Sequence, residues 1–114
     1  MNKGLYITPS QDTLRDFMGT WLVDHISTRV RPTTLDGYRW RAKSIIGALG
    51  HLRLCDLQPH HIQAYHRAKL DEGLSSATLV KHHNLLRSSL ATAVRWTLIE
   101  HNVAELGDPT RAWQ

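Results

Sequence analysis

The chain has 114 residues, a length that suits one small domain with a modest hydrophobic core. Hydrophobic residues make up 41% of the sequence and charged residues 21%, ordinary fractions for a folded protein that argue against wholesale disorder. The 14 basic residues outnumber the 10 acidic ones and give a net charge of +4, a weak indication of a polyanionic partner.

The cysteine content and the hydropathy of the sequence indicate the cellular compartment in which the protein is expected. Cys55 is the single cysteine, so no disulfide can form within the chain. Its neighbours Leu54 and Leu57 favour a buried, apolar side chain over a reactive thiol. No apolar run approaches the roughly 18 residues of a membrane span, and the start lacks the apolar core of a signal peptide. We therefore expect a cytoplasmic protein without a membrane partner.

The first predicted segment is an extended N-terminal link over residues 1–12, which Pro9 interrupts. Thr13 is a good N-cap, so the first helix is predicted over about 13–26. The evidence is a set of apolar side chains at helical spacing, namely Leu14, Phe17, Met18, Trp21 and Leu22.

The second helix is predicted over about 33–49, with Thr33 or Thr34 as its N-cap and Gly50 just past its end. One apolar stripe runs along it, and its members are Leu35, Tyr38, Ala42, Ile45, Ile46 and Leu49. At about 100° per residue, Arg39 and Lys43 lie together on one flank of that stripe.

Two more helices complete the predicted architecture. The third covers about 59–71, because Pro59 suits a first helical turn and Gly73 a helix end. The fourth opens after Ser75 or Ser76 and covers about 76–100. The sequence thus predicts an all-α fold, an orthogonal bundle of four main helices within residues 13–106, followed by a linker over 107–114.

The fourth helix has a polar face that suits DNA. Its members lie three and four residues apart and are Lys81, Asn84, Ser88, Ala91 and Arg95. A helix with such a face can enter the major groove of B-DNA, with its cations on phosphates and its short polar side chains near base edges. The alternative is an ordinary solvated face, which every soluble helix possesses, and the pattern by itself does not exclude it.

Several histidines could suggest a metal-binding site, but their spacing does not support one. The candidates are His60, His61 and His66, and the pair His82 and His83. Adjacent histidines on a helix point about 100° apart and cannot easily share one ion, so we expect no metal. His83 is predicted in the core with one ring nitrogen hydrogen-bonded, and His60 and His82 are predicted to be exposed and able to touch phosphate.

The four tryptophans lie in three kinds of position. Trp21 lies on the apolar stripe of the first helix and is predicted in the core. Trp40 and Trp96 lie off the main stripes, and we prefer packing against a neighbouring helix to contact with a partner protein. Trp113 lies in the predicted linker.

The order of these motifs resembles the core-binding, SAM-like N-terminal domain of tyrosine recombinases of the phage-integrase type. The resemblance covers about 95 residues, nearly the whole chain. Its individual motifs are loose, but their order is characteristic: Thr34 with Tyr38, then Leu52-Arg53-Leu54-Cys55-Asp56-Leu57, then His61-Ile62-Gln63-Ala64-Tyr65, then a long helix from about Thr78.

This resemblance implies double-stranded DNA as partner, no cofactor, and a role in gripping the core recombination site. It also implies that residues 107–114 lead to a catalytic domain that is absent here, since the His-x-x-Arg signature of that domain occurs nowhere in the sequence. This chain is then not itself an enzyme, although its parent is expected to be a DNA strand-exchange enzyme that is encoded by a phage or prophage and acts in the bacterial host cytoplasm. The parent is expected to form a tetramer on DNA, and the isolated fragment to be monomeric. The candidate DNA-binding residues are Arg29, Arg31, Arg39, Lys43, Lys81, Asn84, Arg87, Ser88 and Arg95.

The sequence leaves two other classes of function open. One is a helical protein-interaction module that uses Trp40 and Trp96 as anchors. The other is a self-contained enzyme, which the absence of any nucleophile, base and orienting group in the sequence pattern disfavours.

Overall fold

The computed structural model of the chain describes residues 11–105. The predicted linker over 107–114, with Trp113, and nearly all of the predicted link over 1–12 lie outside the described residues. Within 11–105 every regular element is helical, and the β contact is an isolated bridge between Thr13 and Arg53. The predicted all-α bundle of four main helices is confirmed.

Residues 11–105 form four α-helices and three shorter helical segments. The helices are α1 (Leu14–Thr20), α2 (Pro32–Leu49), α3 (Pro59–Asp71) and α4 (Ser76–Arg95). A π-helical segment, Trp21–Ile26, continues α1 without a break, and 3₁₀ turns cover Leu54–Asp56 and Val103–Glu105. The first predicted helix therefore has the right extent, but its second half is wider than an α-helix.

Helix starts follow local capping chemistry. The hydroxyl of Thr13 accepts a hydrogen bond from the Asp16 backbone N–H at 3.2 Å, and the hydroxyl of Ser75 accepts one from the Thr78 N–H at 3.1 Å, as predicted for both helices. The predicted threonine cap of α2 is wrong. Pro32 occupies the first turn instead, where its fixed φ and missing N–H are compatible with a helix start.

The ends of α3 and α4 share one geometry with different residues. After α3, Gly73 takes a φ of 103° and the Leu74 N–H bonds to the Lys69 carbonyl at 3.0 Å. After α4, Thr97 takes a φ of 59° and the Leu98 N–H bonds to the Ala93 carbonyl at 2.9 Å. Both are Schellman ends, in which a left-handed residue terminates the helix. The prediction that the fourth helix runs to residue 100 is therefore wrong, since it ends at Arg95.

Gly50 closes α2 for a steric reason rather than a conformational one. Its φ is −63°, an ordinary right-handed value, so the left-handed cap expected there is not formed. A Cβ at this position would lie 2.5 Å from the Ile46 carbonyl oxygen and 3.2 Å from Cβ of Arg15. The lack of a side chain lets the Gly50 carbonyl accept the Arg15 N–H at 3.1 Å, which ties the start of α1 to the end of α2.

The core lies where α1, α2 and α4 meet, and α3 closes it from the side. Its largest fully buried side chains are Trp21, Leu14, Met18, Ile45, Leu79, Leu86 and Leu90. The prediction that Trp21 is a core residue is confirmed, and its indole N–H donates to the Thr92 hydroxyl on α4 at 3.0 Å. This contact fixes the C-terminal half of α4 against the π-helical segment, and so positions the exposed face of α4 described next.

Candidate nucleic-acid interface

The outward face of α4 carries the predicted DNA-binding side chains. Lys81, Asn84, Ser88 and Arg95 are all exposed and fall within an arc of about 60° around the helix axis. Arg87 is exposed as well and lies about 60° beyond Asn84 on the same side. The first four span about 21 Å along the helix, since each residue adds about 1.5 Å.

Buried side chains border the exposed face of α4. Leu85, Ser89 and Thr92, which flank it, are 5%, 0% and 1% exposed, because α4 is in contact with neighbouring helices over most of its circumference. The residues of α4 that remain exposed to solvent are therefore almost entirely polar or small. Such a surface is what a helix needs to enter a groove of DNA.

The prediction that His82 is exposed and can touch phosphate is wrong. His82 is 5% exposed, and its Nδ1 lies 2.8 Å from the hydroxyl of Tyr65 on α3. That hydroxyl is also 2.9 Å from the Ser44 hydroxyl on α2, so one polar chain joins three helices. Burial, followed by the charges of Arg41 and Lys69, lowers the pKa of His82, which keeps the ring neutral in the core. His60 is exposed, as predicted.

His83 lies in the core as predicted, but both of its ring nitrogens have partners. Nε2 is 2.8 Å from the Ala104 carbonyl oxygen and Nδ1 is 3.3 Å from Nε2 of His66. A carbonyl oxygen only accepts, so Nε2 of His83 carries the proton and Nδ1 accepts from His66 in the neutral pair. Burial lowers the pKa of His66 from 6.5 to about 4, with smaller effects from His83 and His82.

The remaining predicted cations lie on α2 and before it. Arg39 and Lys43 are exposed on one side of α2, and Arg29 and Arg31 are exposed in the link between the π-helical segment and α2. Among residues 11–105 the ion pairs are Arg53 with Asp56 and Lys69 with Glu72, so none of the predicted DNA-binding cations is held by a carboxylate there. Their charges therefore remain available to a polyanion.

Arg29 and Arg95, although far apart in sequence, both lie close enough to His25 to affect its pKa. Both guanidinium groups act on the imidazole of His25, whose pKa is lowered by desolvation, then by Arg29, then by Arg95. The Arg29 guanidinium donates to the His25 carbonyl at 2.8 Å, and the Arg95 guanidinium donates to the Thr92 hydroxyl at 3.2 Å. Sequence reasoning missed His25. Its spacing of four from Arg29 was a weak signal, but its proximity to Arg95 depends on tertiary packing.

The two off-stripe tryptophans behave differently. Trp96 is 42% exposed, and its ring packs edge-on against Phe17 at 5.9 Å and against His25 at 6.1 Å, so packing is correct in part. Trp40 is 75% exposed, and the preference for packing is wrong there. It lies about 160° around α2 from buried Ala42, on the side that the other helices within residues 11–105 leave exposed.

Other candidate chemistry is sparse in the described part of the chain. Cys55 is only half-buried, so its predicted burial is correct in part, and its sulfur lies 3.8 Å from a carboxylate oxygen of Asp56. Residues 11–105 contain no group of three or more histidine, cysteine or acidic side chains that could hold a metal ion. None of the helices in that range is long and apolar enough to cross a membrane.

Comparison with known proteins gives consistent matches to one family. Residues 13–70 match the family model described as the N-terminal SAM-like domain of phage integrase. A phage integrase SAM-like domain from Moorella thermoacetica, solved by NMR, shares 30% identity over 90% of this chain and 89% of its own, with a TM-score of 0.75. An integrase-like domain from Bacillus cereus shares 29% identity over 86% and 83%, with a TM-score of 0.78. No curated protein sequence matches the chain.

Proposed function

Because the chain belongs to the family of N-terminal SAM-like domains of phage integrases, we propose that it binds the DNA of a core recombination site for a site-specific tyrosine recombinase. The observation that carries the proposal is the exposed face of α4. It combines Lys81 and Arg95 with the short polar side chains of Asn84 and Ser88, and it has no carboxylate partner within the described residues.

The proposed binding divides into two kinds of contact. Most of the affinity comes from cations on the phosphate backbone, where neutralised phosphates release counterions. The residues assigned to this role are Arg29, Arg31, Arg39, Lys43, Lys81, Arg87 and Arg95. Asn84 and Ser88 read base edges, with Lys81 at the border between both roles, because short donors reach a base edge only where the helix itself enters the groove.

The partners follow from the same proposal. Residues 107–114 lead to the catalytic domain of the same recombinase, which is encoded by a phage or prophage and acts in the cytoplasm of its bacterial host. The parent enzyme forms a tetramer on DNA, and the isolated domain is a monomer. The domain contributes grip and orientation, while strand exchange belongs to the catalytic domain.

A second candidate function rests on Trp40. This indole is 75% exposed on α2 in the described part of the chain, and Val23 on the π-helical segment is 59% exposed. Exposed tryptophan is characteristic of protein interfaces, so a helical protein-interaction module is the alternative. Such an interface is nearly insensitive to salt, whereas DNA binding is steeply sensitive.

The test is the salt dependence of binding to a fluorescent duplex of about 20 base pairs, measured by anisotropy between about 50 and about 200 mM salt. The proposal expects affinity to fall steeply with salt, and Lys81→Ala to reduce the slope of log K against log salt by about one. Arg67→Ala is the matched control, since Arg67 is exposed on α3 outside the proposed face. Equal slopes for wild type and Lys81→Ala, or no binding at the lowest salt, would overturn the proposal.

A further inference from the structure

One end of α4 forms a basic cluster with the segment that follows α1. The cluster consists of His25, Arg29 and Arg95, and its members come from two elements that are distant in sequence. The rings of Trp21 and Trp96 both lie near the His25 imidazole, Trp21 nearly parallel to it at 6.2 Å between ring centroids and Trp96 edge-on at 6.1 Å. Both indoles therefore neighbour the imidazole, and the Arg29 guanidinium is bonded to the backbone carbonyl of the same residue.

The two arginines are held in place by the protein. The Arg95 guanidinium donates to Thr92, whose hydroxyl is itself fixed by the indole N–H of Trp21. The Arg29 guanidinium is anchored on the His25 carbonyl. Each guanidinium has five N–H donors, so one anchoring hydrogen bond leaves donors free for an outside acceptor.

The charges of Arg29 and Arg95 disfavour protonation of the His25 imidazole, and an anion bound beside them would offset that repulsion. The charged groups that act on the His25 ring are Arg29 from its own side of the bundle and Arg95 from α4. Neither arginine forms an ion pair within residues 11–105. A ligand suited to this cluster is a tetrahedral oxyanion, because its several oxygens can accept hydrogen bonds from two guanidinium groups and an imidazolium at once.

We propose that His25, Arg29 and Arg95 form a clamp for one phosphodiester group of duplex DNA, with His25 as its proton-dependent member. This inference rests on the proposed function, because the phosphate is that of the DNA held by the face of α4. The clamp lies at the C-terminal end of the exposed face of α4, and Arg95 belongs to the clamp as well as to that face. It would thus set where along the helix the backbone of the DNA is fixed.

Protonation is coupled to occupancy of the clamp. In the free protein, burial and the two arginines lower the pKa of His25 below its usual value of 6.5. A bound phosphate compensates the guanidinium charges and favours the imidazolium, so it raises that pKa. By linkage, binding takes up a proton at pH values between the free and bound pKa, and affinity increases as pH falls through that interval.

The direct experiment follows the His25 ring resonances by NMR through a pH titration, without and with a saturating duplex of about 20 base pairs. The expected result is a higher His25 pKa in the presence of duplex than in its absence. Inorganic phosphate alone, added at the same ionic strength, is expected to shift the His25 pKa less than the duplex does.

Binding assays supply the second arm. His25→Gln is expected to lower affinity several-fold near pH 6 and to reduce the gain in affinity on acidification, whereas the matched control His51→Gln, at an exposed position just after α2, keeps the wild-type pH profile. If the duplex binds with a steep salt dependence and the His25 pKa does not move, the clamp is refuted and the proposed function stands. If no duplex binds at the lowest salt, both are refuted.

Discussion

The imidazole of His83 on α4 donates its Nε2–H to the carbonyl oxygen of Ala104 at 2.8 Å. This bond attaches the last described turn, Val103–Glu105, to the longest helix of the bundle. Asn102 reinforces it, since its amide donates to the Arg87 carbonyl at 2.9 Å and its side-chain oxygen accepts the Ala104 N–H at 3.0 Å. The side of α4 opposite its exposed face thus anchors the segment that precedes residues 107–114.

Replacing His83 is expected to loosen that attachment. His83→Ala removes a buried donor and leaves the Ala104 carbonyl without it, so we expect a loss of about 2 to 4 kcal/mol in unfolding free energy. Hydrogen exchange should increase first at residues 102–105. Denaturation by urea checks the stability, and His60→Ala, at an exposed position, is the control expected to change little. Unchanged exchange at residues 102–105 would contradict the assignment.

Stability should fall as the solution becomes acidic. The pKa of His66 is lowered from 6.5 to about 4 by burial and by His83 and His82, so the unfolded chain binds its proton more readily. This contribution is complete above about pH 6.5 and is lost as pH falls toward about 4, with a total of about 3 kcal/mol. His82, whose pKa is also lowered, adds to the same trend.

Urea denaturation at a series of pH values measures this dependence. His66→Gln should flatten the slope between about pH 6.5 and about pH 4, whereas His60→Gln should preserve it. A stability that is constant over that interval would show that the buried histidines do not resist protonation.

The end of α4 offers a stabilising substitution. Thr97 adopts a φ of 59°, which a β-branched residue takes only with strain, while Gly73 takes the equivalent position after α3 without it. Thr97→Gly is expected to stabilise the protein by about 1 kcal/mol, since left-handed backbone costs a side-chain-bearing residue about 1 to 2 kcal/mol. The reciprocal change Gly73→Thr should destabilise by a similar amount. Thermal melts compare both, and a destabilised Thr97→Gly would show that the Thr97 side chain contributes more than its backbone costs.

The contrast between these two helix ends shows what the sequence can predict of the fold. Helix starts at Thr13 and Ser75 and the end at Gly73 are predictable, because each depends on a residue whose local chemistry is characteristic. The end of α4 at Arg95 is not predictable, because the residue that adopts the left-handed conformation after it, Thr97, is a threonine instead of a glycine. The start at Pro32 was missed because two threonines after it looked like better caps.

The candidate nucleic-acid interface also has a part that the sequence predicts and a part that it does not. The polar face of α4 follows from helical periodicity, and the structure shows that Lys81, Asn84, Ser88 and Arg95 are exposed. The cluster around His25 cannot be predicted, since it requires α4 to pack on the π-helical segment through Trp21 and Thr92, which are 71 residues apart in sequence. Burial of His82 was equally hidden, because its role depends on Tyr65 from another helix.

Substitutions on the exposed face of α4 should separate affinity from specificity. Lys81→Ala removes a phosphate contact and is expected to weaken binding to all DNA sequences uniformly. Asn84→Ala removes a base-edge contact, so it should reduce the preference among sequences by about 1 to 3 kcal/mol at one base position. A competition assay with a randomised duplex pool measures both. Loss of preference in Lys81→Ala, together with an unchanged preference in Asn84→Ala, would reverse the two assigned roles.

The most direct test of the central claim is an amide NMR titration of the domain with a duplex of about 20 base pairs at low and at high salt. We expect shifts that cluster on the exposed residues between Lys81 and Arg95 and on Arg39 and Lys43, and that fade as salt rises. Spectra that remain unchanged at low salt would contradict DNA binding and would make Trp40 the residue to examine for a protein partner.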